Sequence, residues 1–126
     1  MRMWDVDPEL LCRNHLLGEH LEMHMFVGAI RNNKPIAGYL DGGLVDLDRI
    51  VERHDKLAQE MQKRGYKHKS EISEEDAEMV KQYSDNAEYS GRIDVDRSVR
   101  DLLERCDECA IRIRATINES KTSKGR

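Results

Sequence analysis

The stretch Asn14–Arg31, NHLLGEHLEMHMFVGAIR, constrains the fold most, because it sets four ionisable side chains inside an apolar helical run. Core-facing helices keep carboxylates and imidazoles off the buried face, since an unpaired buried charge is expensive. On a 3.6-residue repeat, Leu16, Leu17, His20, His24 and Val27 share one broad face, while Glu19, Glu22, Met23 and Phe26 lie on the adjoining side. Such a helix either borders a site or turns its polar residues to a solvated flank, and spacing alone leaves both open. Gly18 and Gly28 each cost about 1 kcal/mol relative to alanine inside it. Their expected compensation is close approach of another helix or of a ligand.

The rest of the chain reads as helical. Charged residues make up 37% of the 126 positions, against about 25% in average domains. Aromatic content is only 5%, and β-branched residues are sparse, which argues against a sheet protein. The length fits one domain, 1–126. Asp7 and Pro8 read as an N-cap with proline at the first helical position. Lys34–Gly43 reads as a loop, and Leu44–Arg64 as a second helix with a stripe of Leu47, Ile50, Val51, Leu57, Ala58 and Met61. His54 falls in that stripe, and Gly65 closes the helix. Acids after Ser73 predict a short third helix to about Gln82. After a loop over Tyr83–Ile93, Asp94 or Asp96 caps one last long helix reaching Asn118, on a stripe from Val95 to Ile117. The expected fold is all-α, with three main helices plus a short one and a frayed tail over 119–126. Trp4, on the amino-terminal arm, is expected to plug the helix ends.

Net charge is −4, so charge alone gives no strong non-specific affinity for nucleic acid. The basic exception is the run Lys56, Lys63, Arg64, Lys67, His68 and Lys69, which either meets phosphates or complements a helix C-terminus. The amino terminus reads as neither signal peptide nor membrane anchor. Three cysteines point to a reducing, cytoplasmic setting. Cys106 and Cys109 form a C-x-x-C spacing, and with Cys12 and His15, His20 or His54 a zinc site can be drawn. Both cysteines fall on the apolar stripe of a helix, where a thiol behaves as a small hydrophobe, and no second C-x-x-C exists. The expectation is core packing, no metal and no cofactor. His20, His24 and His54 read either as core-edge imidazoles or as the lining of a polar cleft between the first two long helices.

From Met1 to Arg31 the chain resembles the pyrimidine-dimer DNA glycosylase family, typified by the phage endonuclease V. The phage protein, from its mature amino terminus, carries QHLMAEYRELPRVFGAVR at the distance where this chain has NHLLGEHLEMHMFVGAIR, without a gap. The similarity returns at RHDKLAQEMQKRGYKH, like the phage run ending in CLKRGFNI. The resemblance implies a combined glycosylase and abasic-site lyase acting on damaged double-stranded DNA at pyrimidine dimers or other damaged bases. Its nucleophile is the terminal α-amine, here of Met1, and its essential glutamate falls on Glu22. Arg2, Asn14 and His15 match positions that approach the DNA, with His54, Lys63, Arg64 and Lys67 as further candidates. An α-amine titrates near 7.7–8.0, so a useful fraction is neutral and able to attack C1′ of the sugar. Leu21 and Met25 depart from the pattern, standing where the phage enzyme has arginines. The implied protein is a monomer without membrane association, near the nucleoid in a bacterial or archaeal cell or in the host cell if viral. A non-catalytic helical DNA-binding relative and a metal-dependent hydrolase using the histidines and cysteines are the competing readings.

Overall fold

The computed structural model describes residues 1–67 and 70–124, with side chains to residue 118. His68, Lys69 and the side chains of the expected tail, 119–126, lie outside the described residues. Among the described residues six α-helices follow an amino-terminal arm: α1 Arg13–Arg31, α2 Ala37–Asp41, α3 Ile50–Lys63, α4 Glu74–Asn86, α5 Val95–Arg105 and α6 Asp107–Lys124. Single 3-10 turns stand at Pro8–Leu10 and Leu47–Arg49. No strand occurs among the described residues, so the fold is all-α as its composition predicts. No helix of the described residues is long and apolar enough to cross a membrane.

The long helix α1 is the axis of the fold, packing against both α3 and α4. Its Leu16, Met23, Phe26 and Val27 meet Ile50, Leu57 and Met61 of α3 in one core, which Val80, Leu102 and Ile113 extend into the later helices. Asp7 caps the first 3-10 turn through a bond from the Glu9 amide to its Oδ1, 3.0 Å. Gly65 takes φ +83° after α3, and the Tyr66 amide returns to the Met61 carbonyl at 2.8 Å, the stop anticipated from the sequence. At Gly91 the reason for glycine is contact: an added Cβ would lie 2.0 Å from the Val45 carbonyl oxygen.

Several expectations need correction, and the second long helix begins at Ile50, after a 3-10 turn, rather than at Leu44. The Lys34–Gly43 segment contains the short helix α2, and α4 runs on to Asn86. The last helix is two, because Cys106 leaves helical backbone (φ −134°, ψ 109°) and starts α6 by accepting the Cys109 amide on its sulfur. Asp107 and Glu108 supply the acidic first turn that a new helix start favours. The last part of the stripe is solvated, with Ile117 47% exposed. Gly18 and Gly28 have no helix against them, since a Cβ at either would meet nothing within 4 Å.

Candidate active site at the amino-terminal cleft

Residues 1–6 are held down rather than frayed. Met3 is fully buried, and its amide donates to the Leu44 carbonyl at 2.7 Å. Asp5 adopts φ 59°, a left-handed turn that Asp tolerates better than most residues. The backbone amides of Trp4 and Asp5 face the carboxylate of Glu19 and favour its charged form. Glu19 is buried and takes a two-pronged bond from Arg53, Nε at 2.6 Å and Nη2 at 2.9 Å, whose Nη1 donates to the Val6 carbonyl at 2.5 Å. Burial raises the Glu19 carboxyl against the opposing pull of Arg53 and of the two arm amides.

This anchoring carries the chain's first residue to the flank of α1. The terminal nitrogen of Met1 lies 3.9 Å from Oε1 of Glu22, with both residues partly open to solvent. Beside them opens a cleft of about 360 Å³ lined by Arg2, Trp4, Asn14, His15, Gly18 and Glu22. The Arg2 guanidinium sits over the Trp4 ring, 3.9 Å from its centroid, and pairs with Asp101 of α5 at 2.9 Å. The His15 ring meets Trp4 edge-on at 5.5 Å. Burial holds the His15 imidazole below its usual range, against the pull of Glu22. Trp4 packs on the core edge but also forms the cleft wall, so it is more than the plug the sequence suggests. Gly18, bare of any side chain, leaves the floor open. A carboxylate, a guanidinium and an aromatic wall thus line one concave surface, and the Met1 amine lies 3.9 Å from that carboxylate.

Residues 1–74, more than half of the chain, match the family model described as pyrimidine dimer DNA glycosylase. The chain belongs to that family. It is a family of DNA repair glycosylases, whose substrate is DNA. Comparison with curated proteins and with solved structures gives no match.

The remaining candidates of this glycosylase do not converge on the cleft. Arg64 binds Glu60 at 2.7 Å and donates to the carbonyls of Pro8 and Leu11 at 3.1 and 2.8 Å, which fastens the 3-10 turn to α3. Lys63 pairs with Glu9 on the surface, and Lys67 is exposed. His54 is fully buried, so it stands behind the surface rather than on it. It forms a cluster with His20 and His24, ring centroids 4.7–5.0 Å apart, between α1 and α3. Nε2 of His24 and Nε2 of His54 both reach the Ser70 carbonyl, at 3.1 and 3.0 Å, and His54 Nδ1 lies 2.9 Å from Asp55. Through the shared Ser70 carbonyl, His24 of α1 and His54 of α3 are tied to the segment before α4, and none of the three rings is among the residues that line the cleft.

Arg53 and Asp101 are the site residues that sequence reasoning missed. Arg53 falls three residues after Ile50 and four before Leu57, inside the apolar stripe of α3, and a cation there signals a buried partner. Nothing local marks Asp101 as the partner of Arg2.

Proposed function

We propose that the chain is a glycosylase with abasic-site lyase activity whose nucleophile is the α-amine of Met1. The neutral amine attacks C1′ of the damaged nucleotide, the C1′–N bond breaks, and the base leaves with that electron pair. The sugar ring opens as O4′ takes a proton, leaving an iminium between C1′ and the terminal nitrogen. Loss of a C2′ proton then expels the 3′ phosphate by β-elimination, and water releases the amine. Glu22 stabilises the positive charge developing at the sugar and assists the proton transfers. Each step uses only the amine, the carboxylate and water. The observation that carries the reading is the 3.9 Å approach of the amine to Glu22, a residue that lines the cleft.

Arg2, Asn14 and His15 line the approach for the nucleotide, and Lys63 and Lys67 meet phosphates farther along the duplex. His54 and Arg64 act as positioning residues. A lesion in duplex DNA must be exposed by bending or by flipping a nucleotide, and the protein acts as a monomer in doing so. The test is borohydride trapping on abasic-site DNA. It should give a covalent adduct that maps to residue 1, and Glu22→Gln should abolish strand cleavage while binding persists. An adduct on a lysine, or full cleavage by Glu22→Gln, refutes the proposal.

A further inference from the structure

Beside the cleft lies a second cluster, which shares His15 with the cleft lining and whose three thiols this chemistry does not use. Sγ of Cys12, Nδ1 of His15, Sγ of Cys106 and Sγ of Cys109 all lie within 4.8 Å of one another. Two objections to a metal reading of the sequence fall away here. Cys106 is not on a helix stripe but at the break between α5 and α6, and a second two-residue spacing exists as Cys12-x-x-His15. The two halves are built alike. Cys12 in extended backbone caps α1 and takes the His15 amide on its sulfur at 3.4 Å, while Cys106 starts α6 and takes the Cys109 amide at 3.4 Å. The Cys12 amide donates in turn to Sγ of Cys109 at 3.2 Å. Every sulfur therefore already accepts a backbone N–H, the support that metal-bound thiolates need.

We infer that Cys12, His15, Cys106 and Cys109 form a structural zinc site of three thiolates and one imidazole. With Zn–S near 2.3 Å and Zn–N near 2.0–2.1 Å, a tetrahedral centre sets sulfurs about 3.8 Å apart and sulfur to nitrogen about 3.6 Å. Cys12 Sγ lies 3.8 Å from Cys106 Sγ and 3.2 Å from His15 Nδ1, so small side-chain rotations complete the tetrahedron. On binding, the three thiol protons go to solvent and the ion gains a closed sphere of four protein ligands. A closed sphere leaves no position for a catalytic water, so this metal holds structure and does not revive the hydrolase reading. It staples the start of α1 to the start of α6, positions up to 97 residues apart in the chain, where closing a long loop restricts the unfolded chain most. The three-histidine cluster is the weaker candidate, because two of its Nε2 atoms already face the Ser70 carbonyl. Cys106 and Cys109 lie outside the residues matched by the glycosylase family model, and the inference stands independently of the proposed reaction.

The test is metal analysis of the full chain, purified under reductant without a metal-binding tag. It should hold one zinc per chain, lost in Cys106→Ser and Cys109→Ser and retained in His24→Asn. Chelation should lower the melting midpoint by roughly 10 °C or more, restored by zinc. Should the cysteine variants fail to fold, cobalt added to the wild-type apoprotein decides the matter through a thiolate-to-cobalt charge-transfer band with tetrahedral visible bands. A wild-type chain that takes up neither zinc nor cobalt, one whose metal is undiminished in folded Cys106→Ser or lost in His24→Asn, or a Cys12–Cys106 disulfide in place of metal, overturns the inference.

Discussion

Replacing Arg53 with methionine should destabilise the protein severely and disarm it at the same time. The side chains of Arg53 and Glu19 are 2% and 0% exposed, so the substitution strands a carboxylate without its guanidinium. Breaking a buried pair from one side costs about 3–5 kcal/mol. For a chain of this length that corresponds to a fall in melting midpoint of about 10–20 °C. The charge, not the lost contact, is the cause, and pH separates the two. Burial already raises the Glu19 carboxyl, and removing Arg53 removes its strongest opposing influence. A carboxyl raised in the folded state binds more protons there than in the unfolded chain, so stability falls as pH rises from the unfolded value, near 4.3, to the folded one. The deficit of Arg53→Met relative to wild type should thus be smaller at pH 5 than at pH 8. Adding Glu19→Gln should restore part of the lost midpoint. Cleavage, measured where the variant is still folded, should drop about a hundredfold, because near-attack geometry does not survive a shift of about 1 Å. Thermal melts across pH with single-turnover cleavage check this. A double variant melting at or below Arg53→Met, or a pH-independent deficit, would refute the stranded-charge argument.

Gly28→Ala should raise helix stability by up to about 1 kcal/mol with cleavage unchanged, whereas Gly18→Ala should stabilise similarly but raise KM, because its methyl enters the cleft. Melting curves and steady-state kinetics on the two variants distinguish them. Converting Lys63 and Lys67 to glutamine should weaken DNA binding and flatten its salt dependence, read from binding isotherms at several salt concentrations. The hydrogen bond from Arg2 holds the Asp101 carboxyl below the usual carboxylate range, so the pair contributes above the unfolded value near 3.9 and is lost as pH falls through the folded one. Asp101→Asn should accordingly lower stability slightly at neutral pH and flatten the acid limb of the stability profile below about pH 4 by the same amount, as thermal melts and acid titration by circular dichroism will show.

The sequence yields what periodicity and capping encode. The α1 boundary fell within a residue of Arg13–Arg31, and the stop at Gly65 followed from its left-handed turn. Periodicity misled where it ran smoothly through a break. The stripe from Val95 to Ile113 keeps its phase across Cys106, so one helix was expected where a thiol cap makes two. Reading Asp107 and Glu108 as an acidic first turn would have revealed the start of α6. The same break converts two apparent core thiols into one side of a four-ligand cluster whose other side, Cys12 and His15, is remote in sequence. Glu19 and Glu22 show the complementary limit. Both looked like polar intrusions on one helix flank, yet Glu19 is the buried anchor of the arm and Glu22 the carboxylate beside Met1. Only the path of the arm, set by contacts with Leu44, Arg53 and Asp101, tells them apart.

The nucleophile proposed on the first residue sets a physical problem, since chain termini are where order is weakest. Ordering the backbone of residues 1–6 costs about 6–12 kcal/mol of conformational entropy. Burying Met3 and Val6 returns about 3–6 kcal/mol. The bond from the Met3 amide to Leu44 and the charged bond that the Val6 carbonyl accepts from Arg53 add about 2–4.5 kcal/mol. The two sides nearly cancel, so the arm is ordered with little margin and should open before the helices do. Native-state hydrogen exchange tests this directly. The amides of Met3, Trp4 and Asp5 should exchange through a local opening, faster than core amides such as Leu57, and Asp101→Asn should accelerate them without changing the core. If the arm amides instead exchange only with global unfolding, the terminus is part of the rigid core. The geometry at Met1 would then not depend on the Arg2–Asp101 pair.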